Sequence, residues 1–388
     1  MKSDAFVFVG GGSGGHLFPG LAVAEALRQL HPLADVVFFC SDRPVDRLIL
    51  EQAALQLPSL RWESSLHFIR GGRLRRWLLG AWRLLANYRR LRRRLREIEP
   101  VAVVGLGAAA SVAGCIAASN LRIPVILLES NTVPGRATTA LSPRAIVTFT
   151  GLPLQSGCAE DLRCHLESVG VPVRRSVASL AGRQRSSSGG PQRLLILGGS
   201  QGAHRLNQLV MRVLERISGL PEGWEIVHQT GPADLEEIRR FYAGRPWRVR
   251  VESFLHAMED ELASATLVIS RAGAGALAEL ACANVASILV PLKPSVDEHQ
   301  WSNAMAYQQA GAARVVDEQA ADAVAVLAEN LTQLVQSAEQ RGQLAEGMAS
   351  VARPDAARRV AEYLIELAHG AVKHASERGA CACGGCPA

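Results

Sequence analysis

The sequence predicts an α/β protein made of two Rossmann-like halves. Short apolar runs alternate with Ala/Leu-rich stretches of helical spacing along most of the chain. A strand, glycine-loop, helix pattern opens the chain and recurs after residue 194. Hydrophobic residues make up 48% of the 388 while aromatics make up only 5%, a balance that suits buried sheets better than an aromatic-rich sandwich. A chain of this length exceeds one ordinary domain, so two are expected.

Residues 5–9 read as a buried first strand, 10–15 as its turn, and 17–30 as a helix opened by Pro19. Residues 36–40, 101–106 and 125–128 follow as strands with helical stretches between them, the pattern of a parallel sheet with right-handed crossovers. A Ser/Gly/Arg-rich break at 182–192 precedes the second apolar run, 194–197, which leads into Gly198-Gly199-Ser200-Gln201-Gly202 and a helix to residue 217. Further strands are expected at 225–227, 249–251, 267–269 and 287–290. After Pro354, residues 356–367 have helical spacing, and the tail from 370 loses it. The expected divisions are 1–167, 168–351, a helix at 352–369 packing back on the first domain, and a mobile tail at 370–388.

The formal charge is +6, unevenly placed. Between Arg70 and Arg96 lie eleven arginines and no acid, so the rest of the chain is net acidic and the patch calls for an acidic surface partner. Leu74, Trp77, Leu78, Ala81, Trp82, Leu85 and Tyr88 recur there at helical spacing, a pattern suited to an anionic membrane surface, where each Arg contributes about 1 kcal/mol. An ordinary core-facing helix with a solvated Arg face is the alternative. No nucleic-acid reading motif accompanies the charge. Residues 5–9 are too short for a signal-peptide core, and no segment free of charge reaches spanning length. Cys40, Cys115 and Cys282 sit in apolar stretches and read as reduced core thiols of a cytoplasmic protein. Cys381, Cys383 and Cys386 lack the second cluster that would complete a four-ligand metal site.

A glycine loop between strand and helix offers open backbone N–H groups and the positive end of a helix dipole to an anionic phosphate. Gly10-x-Gly12-x-x-Gly15, with Asp42 after the second strand, also fits the dinucleotide fingerprint. Two features turn the balance. His16 places an imidazole able to take a proton at neutral pH beside the bound phosphate, and the second loop admits a second phosphate-bearing ligand. Transfer between two bound ligands follows. Residues 270–279 form a third glycine turn whose Glu279 suits a ribose diol, or serves as a helix acid stabilised by the dipole. Asp297-Glu298-His299-Gln300 and Asn303 follow a strand end and suit sugar hydroxyls.

These stations, in this order, resemble the MurG family of peptidoglycan N-acetylglucosaminyltransferases, whose two Rossmann-like domains face each other across a cleft (the GT-B fold). The carriers are Gly10 to His16 with Phe18-Pro19-Gly20-Leu21-Ala22, Gly170-Val171-Pro172-Val173-Arg174, Leu197 to Ala203, Arg271 to Glu279, and Asp297 to Asn303. The resemblance implies inverting transfer of N-acetylglucosamine from UDP-N-acetylglucosamine to the C4 hydroxyl of an undecaprenyl-diphosphate-linked muramoyl-peptide, lipid I to lipid II, in peptidoglycan synthesis. It implies a peripheral place on the cytoplasmic face of the membrane. On the donor side, Ser200, Gln201 and Gly202 would meet the UDP phosphates with Arg174 near them. Backbone at Leu255 would touch uracil, Ala274 and Glu279 the ribose side, and His299 and Gln300 the sugar. On the acceptor side stand Gly12, Ser13, Gly14, Gly15, His16 and Asn131, with His16 the first candidate base and Glu129 the second. No Asp-x-Asp motif occurs, so a metal-independent reaction without cofactor is expected.

The sequence departs from the family on the acceptor side. Gly105-Leu106-Gly107 runs into Ala108-Ala109-Ala110-Ser111 where the family has a glycine-rich loop with an aromatic, and Leu128 and Ser130 stand where the family has His and Gln. A related two-domain enzyme, such as a UDP-N-acetylglucosamine 2-epimerase or a glycolipid glycosyltransferase, is the competing enzyme reading, and the altered acceptor loops admit a non-catalytic nucleotide-sugar-binding protein.

Overall fold

The structure is a computed structural model that describes residues 4–12, 14–57, 60–66, 73–183, 191–199, 202–217, 219–292 and 299–370. It divides into two compact units: the described residues through Ser130, Pro134–Pro172 and those from Asp355 on, and Asn131–Val133 with Val173–Pro354.

The N-terminal unit runs β1 (Ala5–Val9), α1 (Gly14–Leu30), β2 (Asp35–Ser41), α2 (Pro44–Gln56), β3 (Leu60–Leu66), α3 (Arg73–Ile98), β4 (Ala102–Gly105), α4 (Ala108–Asn120), β5 (Val125–Glu129), α5 (Arg136–Leu141), β6 (Val147–Thr150) and β7 (His165–Ser168). Its sheet is wholly parallel in the order β3-β2-β1-β4-β5-β6-β7. Every residue of β1 is buried, as a central strand covered by helices on both faces requires. Phe6 and Phe8 enter one core with Leu17, Leu27 and Phe38, while Val7 and Val9 enter the other with Leu91, Leu95 and Val103. Phe8 stacks on Phe38 at 4.8 Å. Each such ring contributes about 1.5–3 kcal/mol by burial.

The C-terminal unit runs α6 (Arg175–Ala178), β8 (Gln192–Leu197), α7 (His204–Arg216), β9 (Trp224–Gln229), α8 (Leu235–Tyr242), β10 (Arg248–Glu252), α9 (Met258–Ser264), β11 (Leu267–Ser270), α10 (Ala274–Cys282), β12 (Ala286–Leu289), α11 (His299–Gln309), β13 (Arg314–Val315), α12 (Ala323–Gln336) and α13 (Ala338–Val351). This second parallel sheet has the order β10-β9-β8-β11-β12-β13. The last helix, α14 (Ala356–Ala368), belongs to the N-terminal unit, where Val360, Ala361 and Leu364 join the core of Phe6 and Phe8. Tyr363 meets Phe149 edge-on at 5.2 Å, and Arg359 pairs with Glu167 at 3.1 Å.

The two-sheet α/β architecture agrees with the sequence expectation, and two local readings change. Helix α1 begins at Gly14 rather than residue 17, so Pro19 lies in its interior. Proline cannot donate to the carbonyl four residues back, and that residue, Gly15, is exposed, so water can serve its carbonyl. Strands β3, β6, β7 and β13 were not anticipated. β3 mixes Arg61, Trp62 and Glu63, β7 is polar His-Leu-Glu-Ser at the sheet edge, and β13 has two residues, so none shows a clean apolar run.

Cys40, Cys115 and Cys282 are buried and form no disulfide among the described residues, and burial pushes the Cys40 and Cys115 thiols up to about 12. No helix among the described residues is long and apolar enough to cross a membrane.

Candidate functional site

In each unit the glycine loop leaves the strand at which chain order reverses, β1 between β2 and β4, and β8 between β9 and β11. Open α/β sheets present their binding crevice at the carboxyl ends of the strands at that position. The carboxyl ends of β1, β2, β4 and β5 carry Gly10–Gly15, Asp42, Gly105–Gly107 and Glu129. Those of β8, β10, β11 and β12 carry Gly198, Gly199 and Gly202, Leu255, Arg271–Ala274 and Leu292, with His299 opening α11. Because both sheets are parallel, each set shares one edge.

In the N-terminal loop, Gly11 and Gly12 take φ of 138° and 99°, a region that side chains disfavour. A β-carbon on Gly10 or Gly20 would also collide with Leu106, so the β1 and β4 loops pack backbone against side chain. The amide of Gly12 donates to Asp46 Oδ2 at 2.7 Å, and Arg43 Nη1 donates to Gly12 O at 2.8 Å. Gly14, Gly15 and His16 then open α1. His16 is half-buried, and its ring lies over Gly107: a β-carbon there would be 3.1 Å from His16 Cδ2. Gly107 has φ 81°, so this second loop glycine is both a turn and a seat for the imidazole. Ser13 lies outside the described residues.

Glu129 is buried at the end of β5. Its Oε2 accepts from Gly135 N at 2.9 Å and from Thr138 Oγ1 at 2.7 Å, tying the strand to the start of α5. Asn131 is grouped with the C-terminal unit rather than with the N-terminal loop. Its Oδ1 accepts from Asn303 Nδ2 at 3.0 Å, while Asn303 Oδ1 accepts from Thr132 N at 3.0 Å and Thr132 Oγ1 at 3.2 Å.

In the C-terminal unit, Gly199 and Gly202 take φ of 82° and 80°, and a β-carbon on Gly202 would meet Thr230 O at 2.5 Å. Ala203 at the helix N-cap carries no side-chain acceptor of its own, so among the described residues no cap bond occupies the first amides of α7, the place where an anion can bind. A buried network fixes this helix start. Asn207 Nδ2 donates to Thr230 O at 3.0 Å and to Asp234 Oδ2 at 2.7 Å, which leaves its Oδ1 to accept from His228 Nε2 at 3.1 Å. His228 then accepts at Nδ1 from the Tyr242 hydroxyl at 3.1 Å. Desolvation lowers His228 to about 3, so it stays neutral at physiological pH.

Glu279, on α10, pairs through Oε1 with Arg174 Nη2 at 3.1 Å. Burial raises its pKa, and the Arg174 charge and hydrogen bond oppose that rise. Arg271, at the carboxyl end of β11, is buried: it donates to Val290 O at 2.9 Å and pairs with Glu318 at 2.7 Å, so it braces the strand ends. Gln300 Oε1 accepts from Leu292 N at 3.0 Å, holding the start of α11 to the segment after β12. Leu255 is buried beside Phe254 and His256, whose rings meet edge-on at 5.1 Å, and Ala274 is buried at the first turn of α10. Ser200, Gln201, Asp297 and Glu298 lie outside the described residues.

Among the described residues, His204, Asp234 and Glu237 bring three potential cation ligands within 4.8 Å of one another. Each is already engaged, His204 with Asp234, Asp234 with Asn207, and Glu237 with Gln208.

Sequence reasoning missed Asp46, the Gly107 seat, Asn207 and His228. Asp46 sits in the first turn of α2, where an acid reads as an ordinary dipole partner, and only tertiary contact brings it to the glycine loop.

Residues 6–150 match the glycosyltransferase family 28 N-terminal domain and 193–360 the C-terminal domain of the same family. The chain is 36% identical over 373 residues to the UDP-N-acetylglucosamine--N-acetylmuramyl-(pentapeptide) pyrophosphoryl-undecaprenol N-acetylglucosamine transferase of Acidithiobacillus ferrooxidans, covering 95% of this chain and 99% of that protein. It is 33% identical over 358 residues to the protein of the same name from Anaeromyxobacter dehalogenans, covering 92% and 91%. The crystal structure of Acinetobacter baumannii MurG superposes with a TM-score of 0.72 at 26% identity, over 94% of this chain and 99% of that one. A UDP-GlcNAc 2-epimerase from Neisseria meningitidis shares the fold at a TM-score of 0.62 and 13% identity, over 94% and 100%. With both family domains matched in order and full-length relatives above 30% identity, the chain belongs to glycosyltransferase family 28.

Proposed function

We propose that this chain transfers N-acetylglucosamine from UDP-N-acetylglucosamine to undecaprenyl-diphospho-muramoyl-peptide, converting lipid I to lipid II in peptidoglycan synthesis. The observation that carries this reading is end-to-end similarity to relatives bearing that activity in their names, in a chain that keeps both glycine loops at the switch strands. The donor is assigned to the C-terminal unit. Gly202, with Ser200 and Gln201, and the α7 amides hold the diphosphate; Arg174 adds positive charge. Leu255 backbone meets the base, Ala274 and Glu279 the ribose side, and His299 and Gln300 the sugar.

The acceptor diphosphate is assigned to the loop of Gly12, Ser13, Gly14, Gly15 and His16, with Asn131 on the acceptor sugar; because Asp46 holds the Gly12 amide, Gly12 serves this site as its turn and the amides after it meet the phosphates. His16 removes the proton from the C4 hydroxyl as it attacks the anomeric carbon from the face opposite UDP, which inverts that centre. Loop amides, the helix dipole and Arg174 stabilise the charge gained by departing UDP. Glu129 supports this step by position, since one of its oxygens already accepts two hydrogen bonds from α5.

Helix α3 is proposed to rest on anionic lipid at the cytoplasmic face. Its end buries Leu91 and Leu95 and exposes Arg89, Arg93 and Arg96, with Leu84 and Leu85 exposed one to two turns earlier. Part of its charge is internally matched, because Glu63 pairs with Arg90 and Arg94, and Glu97 with Arg93 and Arg94. The side chains from Leu74 to Trp82, and Arg70 itself, lie outside the described residues.

Radiolabelled UDP-N-acetylglucosamine with lipid I tests the activity: label in a β-linked disaccharide lipid supports it, and sugar conversion without acceptor supports an epimerase instead. Binding to phosphatidylglycerol vesicles that weakens with salt supports the lipid contact, and no binding at low salt removes it.

A further inference from the structure

Asp46 is fully buried, and its carboxylate lies beneath a loop that is itself assigned to an anion. Oδ2 accepts from the Gly12 amide at 2.7 Å and from the Ser41 hydroxyl, while Oδ1 is buried with no hydrogen-bond partner among the described residues. From the same end of α2, Arg43 Nη1 reaches Gly12 O at 2.8 Å. Both ends of one loop residue are therefore held by side chains three positions apart. That residue and Gly11 occupy backbone conformations that glycine alone adopts readily, and glycine loses more conformational freedom on ordering than any other residue, so these bonds offset a large entropic cost. Gly11 also leaves no room for a β-carbon, which would collide with Asp46 Oδ2. A neutral side chain could accept from an amide without placing negative charge near a phosphate. A carboxylate makes the stronger, charge-assisted bond, and here that bond turns the Gly12 amide inward.

We propose that Asp46 is a positioning residue for transfer: it locks the Gly11–Gly12 segment so that the amides of Gly14 and Gly15 and the His16 imidazole are set before the acceptor diphosphate arrives. The proposal rests on the acceptor-loop reading given above. Preorganisation of this kind matters because misplacement of a reacting group by about 1 Å can cost about 100-fold.

The test compares Asp46→Ala and Asp46→Asn with wild type. Asp46→Ala is expected to lower kcat/KM for lipid I by about 10- to 100-fold while the KM for UDP-N-acetylglucosamine stays within about twofold. Asp46→Asn keeps an oxygen acceptor and is expected to recover most of the loss. Amide hydrogen exchange at Gly12 and the first turn of α1 should quicken in Asp46→Ala, a readout that needs no activity. If wild type lacks transfer, the acceptor reading fails, and the exchange arm still decides whether Asp46 holds the loop. An unchanged or improved kcat/KM for lipid I, equal losses toward both substrates, or unaltered exchange at Gly12 would each overturn the proposal. Should Asp46→Ala fail to fold, Ser41→Ala removes one bond to the carboxylate and is expected to give a smaller loss confined to lipid I; no loss there counts against the lock.

Discussion

Arg174 Nη2 stands 3.1 Å from Glu279 Oε1, joining the segment before α6 to the middle of α10. Burial raises the Glu279 pKa above its ordinary 4.5, and Arg174 limits the rise. In the role proposed for it, Glu279 accepts from the ribose diol most strongly as the carboxylate, so kcat/KM for the donor is expected to fall on the acid side with an apparent pKa above 4.5. Arg174→Ala should move that limb to higher pH, and Glu279→Gln should abolish it while weakening the donor throughout. The sign for stability is the reverse of a salt-bridged acid with a depressed pKa. A folded carboxyl titrating above its unfolded value adds stability that is complete below about 4.5 and lost as pH rises through the folded value. Thermal unfolding of Glu279→Gln should lack that decline, and identical pH profiles for variant and wild type would remove Glu279 from the coupled pair.

His16→Ala is expected to lower kcat by about 10²- to 10⁴-fold with donor affinity retained, the range for loss of a general base. Gly107→Ala should act in the same direction without touching the imidazole chemically, because its methyl would press on the ring at 3.1 Å and its φ of 81° is unfavourable for alanine. Steady-state kinetics with donor binding by calorimetry separates the cases. Near-normal turnover in His16→Ala rules out the base assignment.

For Glu129, charge and hydrogen bonding make opposite predictions. The glutamine oxygen can accept from Gly135 N and Thr138 Oγ1 as the carboxylate does, so a positioning role predicts that Glu129→Gln loses less than about tenfold in kcat. A loss of 10² or more, with an unchanged melting temperature, would instead make Glu129 the base.

Asn303→Ala strips hydrogen bonds from Asn131 Oδ1, Thr132 N and Thr132 Oγ1 at once. An orphaned buried donor costs about 1–3 kcal/mol, and denaturant titration should show a loss of that order. A loss below about 0.5 kcal/mol would mean that the 131–133 segment finds other partners.

The elements readable from sequence were those whose local pattern is set by their own burial. β1 and β8 are apolar because central parallel strands are covered on both faces, and the glycine loops announce themselves because positive φ excludes other residues. β6, buried yet written Val-Thr-Phe-Thr, and the polar edge strand β7 gave no such signal, since hydroxyls and edge positions interrupt the apolar run.

By itself, then, the sequence determined the two-sheet α/β class and the place of each glycine loop at the end of its strand, because periodicity and turn chemistry are written in neighbouring residues. Tertiary structure alone decided the partners. Gly12 and Asp46 are 34 positions apart and Asn131 and Asn303 are 172 apart, and the seating of His16 on Gly107 spans two strands of the sheet. Strand order brings distant carboxyl ends to one edge, and a linear pattern does not state which side chains meet there.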